Sequence, residues 1–248
     1  MDQNAIVPTR NPDFPWDEFN PFDYLTRNYL RMRHDDAQLM TLTYSWFAEH
    51  LRGVAVHGID VGCGPNLYPA LAMLPSCQTI TLLDYSVRNI AWLNSDVSGC
   101  SDLWRPYWNL ISPGNRLGDF ERMRGRLAAC ARIEHGSVFN LPPATWDVGT
   151  MFFVAESITA DYAEFDDAVS RFLQALAPGA PFAAAFMEGS QGYEVSGIDF
   201  PAVGVTDQQV RTTLGRLTPD VRVHRVPIRP QPLRAGYTGI LLALGKTA

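Results

Sequence analysis

The sequence predicts an α/β fold: a doubly wound sheet of seven strands, with a helical cover before it and an antiparallel strand pair at its end. Three observations predict it. From residue 54 onward, apolar runs of strand length alternate with segments of helical periodicity. The first strand runs straight into a glycine-rich turn. The last two strands, 221–228 and 238–245, follow each other with no helix between them, so they pair as a hairpin at the sheet edge.

The elements follow in order. Residues 1–15 are polar and proline-containing and read as a flexible lead. Residues 22–51 read as two helical pieces; Asp35 or Asp36 caps the second, Leu39, Leu42, Trp46, Phe47 and Leu51 recur at helical spacing, and Gly53 closes it. The first strand is 54–61, followed by a short helix over 67–74. The second strand, 79–83, ends at Asp84, and Ser86 caps a helix through Trp92 and Leu93. Residues 98–118 carry Gly, Ser and Pro around Trp104, Tyr107 and Trp108, and read as an insertion over the sheet. Phe120, Met123, Leu127 and Cys130 mark the next helix, and 132–138 the third strand. The near-continuous apolar run 147–154 suits a strand buried on both faces. Phe165, Val169, Phe172, Leu173 and Leu176 form a helix stopped at Pro178-Gly179. Residues 181–187 are the fifth strand, and Thr206 caps a helix to about Leu217. The expected division is a lead and helical cover over 1–52 and a Rossmann-like domain over 53–248, as one structural unit.

Composition narrows the function. Of 248 residues, 46% are hydrophobic and 19% charged, enough to bury a large core and too apolar for global disorder. The net charge of −6 and the lack of a basic run speak against nucleic-acid binding. No apolar run approaches a membrane span, and the N-terminus has no apolar signal region. Cys63, Cys77, Cys100 and Cys130 form no C-x-x-C pair, and the five histidines no metal-ligand spacing, so reduced thiols, a cytoplasmic location and no metal are expected.

The chemistry is carried by Gly58-Ile59-Asp60-Val61-Gly62-Cys63-Gly64-Pro65-Asn66, where a strand meets a helix. Glycines there let the backbone approach a ligand, and the helix start offers free N–H groups. A dinucleotide fingerprint needs a third small residue three positions after the second glycine, and Leu67 stands there, so a pyrophosphate cofactor is disfavoured. Asp60 places a carboxylate at the turn, where it can meet an ammonium directly or through water. Asp84 ends the second strand, twenty residues after Gly64, where an acid can accept both ribose hydroxyls. A ligand with a ribose and an amino-acid group but no phosphate describes S-adenosylmethionine.

The chain resembles the small-molecule N-methyltransferase family that includes the nicotinamide, phenylethanolamine, indolethylamine and thioether enzymes, a class I S-adenosylmethionine-dependent group. The resemblance runs from about Trp16 to the C-terminus. Its most distinctive part is Phe19-Asn20-Pro21-Phe22-Asp23-Tyr24-Leu25-Thr26-Arg27-Asn28-Tyr29, similar to that family's N-terminal cover; Pro65 and Tyr68, Asp84-Tyr85 with Asn89, Phe153 with Glu156, and Tyr193 add to it. It implies that Tyr24 and Tyr29 close over the methionine part of the cofactor. Gly62, Cys63, Gly64, Asn66 and Tyr68 would hold its amino and carboxylate groups. Asp84 would bind the ribose, Tyr85 and Asn89 the sugar and adenine side, and Ser137 and Val138 the adenine edge. The family usually has an acid where Ser137 stands. Phe153 and Glu156 would face the transferred methyl and the acceptor. Trp16, Asn28, Arg33, Trp46 and Tyr193 are the candidate acceptor contacts.

In-line displacement at a sulfonium methyl needs alignment and a dry site more than covalent help. Glu156 is the first candidate to orient the acceptor or take its proton, and Glu188 the second. Family members that take cationic amines use acids where ungapped alignment puts Ser190 and Ala235. Their absence points to a neutral aromatic acceptor, such as an indole or related alkaloid methylated on nitrogen or carbon in specialised metabolism, over a small basic amine. A nucleotide-cofactor oxidoreductase and a non-catalytic cofactor-binding module are the rival readings. Nothing in the sequence sets the oligomeric state.

Overall fold

A computed structural model describes residues 9–51, 56–228 and 234–248. Two helices, α1 (Pro21–Tyr29) and α2 (His34–His50), precede the sheet. The alternation then runs β1 (Val56–Val61), α3 (Tyr68–Met73), β2 (Cys77–Asp84), α4 (Val87–Gly99), α5 (Arg105–Ile111), α6 (Phe120–Cys130), β3 (Ala131–His135), β4 (Val148–Phe152), α7 (Tyr162–Ala175) and β5 (Pro181–Glu188). A small hairpin, β6 (Tyr193–Val195) and β7 (Ile198–Phe200), leads to α8 (Asp207–Leu217), β8 (Arg222–Val226) and β9 (Gly239–Lys246). The seven-stranded sheet has the order β3-β2-β1-β4-β5-β9-β8. β1 to β5 pair in parallel, and β9 lies antiparallel between β5 and β8. The doubly wound expectation and the terminal hairpin are both present.

Two apolar layers sandwich the sheet, and strand parity assigns each side chain to one of them. On β5, Phe182, Ala184 and Phe186 join α7 and α8, while Ala183, Ala185 and Met187 face the layer built on α2 to α6. The small Ala183 and Ala185 let α2 come close to the strand. The order reverses between β1 and β4, and a crevice opens there at the strands' C-terminal ends, where ligands bind in such sheets.

Several expectations change in detail. The cap of α2 is Arg33, with no side-chain bond; Asp35 and Asp36 lie inside the first turn, both buried. Gly53 and residues 54–55 fall outside the described residues. The lead docks from residue 9: the Thr9 carbonyl accepts the Ala160 N–H at 2.8 Å, and the Asn11 N–H donates to Glu164 at 2.7 Å. Residues 98–118 are scaffold: α5 is helical, and Trp104, Tyr107 and Trp108 are buried in the main core with Tyr29 and Tyr68. Helix α1 shares that core through Tyr29, while Trp16 and Phe19 of the cover form a smaller cluster of their own with Val195 and Phe200 of the β6–β7 hairpin. β3 stops at His135, leaving Ser137 and Val138 in the following turn, and β4 stops at Phe152. The sequence reading passed over β6 and β7 altogether.

Candidate active site

The turn after β1 shapes the floor of the crevice. Gly62 and Gly64 have φ of +62° and +50°, the left-handed region that favours glycine. A Cβ on Gly62 would meet Val154 at 2.6 Å, so the turn also needs glycine for space. The main cavity sits on this floor. Gly62, Cys63, Gly64 and Asn66 line one side, and Asp84, Tyr85 and Asn89 the next. Ser137 and Val138 form a far edge, Phe153 the end at β4, and Trp16, Tyr24, Tyr29 and Tyr193 the roof.

Asp84 is oriented by three donors: the Gly64 N–H at 2.8 Å, the Ser86 N–H at 2.9 Å and Asn89 Nδ2 at 3.0 Å. Those bonds tie the second strand end to the glycine turn and to the start of α4, which Ser86 caps as expected. Tyr85 is half exposed and stacks on His135 with centroids 5.9 Å apart, a flat edge for a planar ring. Asn89 Oδ1 and Asp60 Oδ2 are buried without a hydrogen-bond partner among the described residues. Buried polar atoms are seldom left so, and Asn89 lines the cavity itself. An acceptor atom beside Asp84 and a carboxyl under the turn fit a ribose and an ammonium, so the residues present suit S-adenosylmethionine. Asp60 does not line the cavity; it lies beneath the turn, accepting from Thr150 Oγ1 at 2.7 Å, a position that suits an approach through water.

Two further spaces adjoin this cavity. A narrow chamber shares Tyr29 and Phe153 with it and is lined also by Asn28, Arg33, Asp35, Asp36, Met187 and Tyr237. A wider groove shares Tyr24 and Tyr193 and is bounded by Arg27, Asn28, Gln191 and Arg234. Phe153 stands between cavity and chamber with φ +61°, rare for an aromatic residue, and its N–H is held by the Ala185 carbonyl at 2.7 Å.

Other expected site residues sit elsewhere. Glu156 lines none of the three spaces: it is fully buried, and its Oε1 accepts the Met187 N–H at 2.9 Å. Glu188 forms an ion pair with Arg225 at 2.7 Å and accepts from Thr238 at 3.0 Å, a strand-end role facing away from the cavity. Tyr68 is buried behind Tyr29, stacked on Tyr107 at 5.4 Å, with its hydroxyl toward Asp36 but closing no hydrogen bond. Trp46 packs on His50 along α2, away from all three. Among the described residues, no group of His, Cys, Asp and Glu is placed to hold a metal ion, and no helix is long and apolar enough to cross a membrane.

Sequence reasoning missed Arg234. Its guanidinium is buried, lies 3.9 Å over the Tyr193 ring and donates to Ser157 Oγ at 2.8 Å and to the Tyr24 hydroxyl at 3.1 Å. A lone arginine in a loop carries no spacing signal. It also missed the acids of the chamber, which it read as cap residues.

Burial raises several carboxyls: Asp36 and Glu156 are pushed up to about 7, and Asp60 to about 8. A carboxyl with its folded pKa above the unfolded value stabilises fully below the unfolded pKa and loses that contribution as pH rises through the folded one. The melting temperature of the ligand-free protein is therefore expected to fall from about pH 5 to about pH 8. Scanning calorimetry across that interval checks it; a rising melting temperature contradicts the assignment.

Comparison with known proteins places the fold and the family. Phenylethanolamine N-methyltransferase of Macaca mulatta is 25% identical over 91% of this chain and 86% of its own. Among solved structures, magnesium protoporphyrin IX methyltransferase from Synechocystis PCC 6803, with bound SAM, superposes with TM-score 0.59 at 12% identity, over 98% of this chain and all of the other. The 1,6-didemethyltoxoflavin-N1-methyltransferase of Burkholderia thailandensis superposes with TM-score 0.54 at 14% identity, over 92% and 87% of the two chains. Those two likenesses concern the fold. The NNMT/PNMT/TEMT family matches residues 11–243, and the chain belongs to that family of S-adenosylmethionine-dependent methyltransferases.

Proposed function

We propose that the protein transfers a methyl group from S-adenosylmethionine to a neutral aromatic small molecule of indole or alkaloid type, on nitrogen or carbon, as a step of specialised metabolism in the cytoplasm. When bound, the cofactor supplies an electrophilic methyl on a sulfonium, with a neutral thioether as leaving group. Asp84 and Asn89 would hold the ribose, Tyr85 and Ser137–Val138 flank the adenine, and the Gly62–Asn66 turn takes the amino-acid end. Phe153 and Tyr29, the two side chains shared with the chamber, would face the methyl end of the cofactor. Phe153 and Tyr29 align the acceptor, while Trp16, Tyr24 and Tyr193 roof the site and exclude water.

One observation carries the preference for a neutral acceptor: the buried guanidinium of Arg234 beside Tyr24 and Tyr193, whose described hydrogen bonds both go to neutral hydroxyls. A permanent cation at the roof repels an ammonium arriving by the wider groove. Glu188 is spent on Arg225, Glu156 gives one oxygen to the Met187 backbone and faces Arg234 rather than any of the three spaces, and positions 190 and 235 carry no acid. A small-amine acceptor is the second reading, favoured by the two aspartates of the chamber. A matched panel of neutral indoles and phenylethylamines decides between them. The expected kcat/KM favours the indoles by at least about tenfold, equivalent to about 1.4 kcal/mol; a preference for the charged amines reverses the assignment.

A further inference from the structure

The narrow chamber holds a buried carboxylate whose nearest donors are the neutral Tyr68 hydroxyl and the Arg33 backbone. Asp36 is 4% exposed, lines the chamber, and its Oδ2 closes no hydrogen bond among the described residues. Its neighbours account for themselves differently. Asp35 Oδ1 accepts from Arg33 Nε at 3.2 Å and from the Asp36 N–H at 3.2 Å. Among the described residues, the cation beside the pair, Arg33, thus donates its side chain to Asp35 and acts on Asp36 only through space and through its backbone. The other titratable groups facing Asp36 are tyrosines: Tyr29 from α1, Tyr68 from α3, Tyr107 from α5, and Tyr237 just before β9 across the chamber. All are held by burial in their neutral form over the working pH range.

We propose that Asp36 is the proton acceptor of the transfer, and that the acceptor is an aromatic N–H heterocycle whose N–H is directed at this carboxylate. The assignment rests on the reading of the chamber as the acceptor site. The balance is simple. A bond forms between the transferred methyl and the ring nitrogen, or a substituted ring carbon conjugated with it. The methyl–sulfur bond breaks and leaves its electron pair on sulfur. The N–H bond gives its electron pair to the ring and its proton to Asp36. An aromatic N–H is a weak acid in the ground state and a strong one once the ring bears the methyl, so a positioned base acts where the charge develops. Burial, together with the charge of Asp35, pushes the Asp36 carboxyl up to about 7, a basicity suited to that task near neutral pH.

The experiment compares wild type with Asp36→Asn on an indole that the wild type turns over. In the wild type, kcat rises with pH through the neutral range and then levels. In Asp36→Asn, kcat falls by about a hundredfold or more and loses that rise, while S-adenosylmethionine affinity, measured calorimetrically, is unchanged. Asp36→Glu restores part of the rate and the pH dependence. A second readout needs no turnover: with S-adenosylhomocysteine present, wild type binds indole more tightly than 1-methylindole, which has no N–H, and the gap widens as Asp36 ionises. Wild-type rate and pH profile in Asp36→Asn overturn the assignment and leave the acceptor class standing. If Asp36→Asn fails to fold, equal affinity of wild type for the two indoles at every pH overturns it. Absence of wild-type turnover or binding with every N–H heterocycle tried overturns the acceptor reading instead, and this assignment with it.

Discussion

Gly62→Ala is expected to abolish S-adenosylmethionine binding and to remove a large part of the protein's stability. Two penalties combine. The position has φ +62°, where an L side chain costs about 1–2 kcal/mol. The new Cβ would lie 2.6 Å and 2.8 Å from the two methyl carbons of Val154, and overpacking of that kind costs about 1–3 kcal/mol. Together they approach the lower end of the roughly 5–15 kcal/mol that holds a domain folded. Val154 follows β4 and Gly62 follows β1, so relief by movement spreads the two strand ends that form the floor. Val154→Ala in the same chain removes the clash but leaves the dihedral strain, and should recover about half the lost stability and little of the binding. Gly64→Ala provides the contrast: among the described residues beyond its chain neighbours, its Cβ would meet Asn89 Nδ2 at 3.7 Å and Asp84 Oδ2 at 3.8 Å, ordinary contacts beside the cavity. That variant keeps the dihedral penalty of about 1–2 kcal/mol at φ +50° but has no clash, and is expected to lose less stability than Gly62→Ala while binding cofactor poorly. Urea unfolding with calorimetric titration separates the cases. Wild-type stability and affinity in Gly62→Ala would show that the turn is not the strained element described.

The contrast between these glycines also shows what the sequence made legible. A strand followed by Gly62-Cys63-Gly64 and an acid at the next strand end states a local geometry, because few backbones other than a strand-to-helix turn want that pattern. The strands and their parity were legible for the same reason: alternation on β5 separates Phe182 and Phe186 from Ala183 and Ala185 without reference to anything distant. Tertiary choices were less so. Whether Asp35 and Asp36 cap a helix or point into a chamber depends on where the helix starts, and a shift of one or two residues decides it. The aromatics of α5 did carry a helical signal, Trp104, Tyr107, Trp108 and Ile111 at i, i+3, i+4 and i+7, masked by the Pro and Gly residues around them. β6 and β7 are three residues each around Ser196-Gly197, too short for periodicity. Glu156 was assigned by the family resemblance and Glu188 by its strand end, and what turned them from the cavity was long-range: a backbone N–H on β5 for one, an arginine on β8 for the other.

Asp84→Ala is expected to weaken S-adenosylmethionine binding by roughly 10²–10⁴-fold, the loss of two charge-assisted hydrogen bonds at about 1.5–3 kcal/mol each. A carboxylate offers about four lone-pair positions. Three are occupied by Gly64, Ser86 and Asn89, which aim the group at the cavity. The ribose therefore meets the remaining position, and its second hydroxyl either shares an oxygen with one of those donors or displaces it. The Asn89 side chain moves most easily, and its buried Oδ1 then has a hydroxyl to accept from. Part of the Asp84→Ala effect is indirect, since the Gly64 and Ser86 N–H groups lose their acceptor and the turn loosens. Asp84→Asn separates the parts. It keeps one oxygen and the shape but faces an N–H donor with an NH₂ group, so affinity falls to an intermediate value. Asn89→Ala leaves the carboxylate and removes one support, and is expected to lose about tenfold or less. Calorimetric titration on all three, with melting temperatures to confirm folding, tests the ranking. Asp84→Ala with the affinity of the wild type would move the ribose site away from the second strand end.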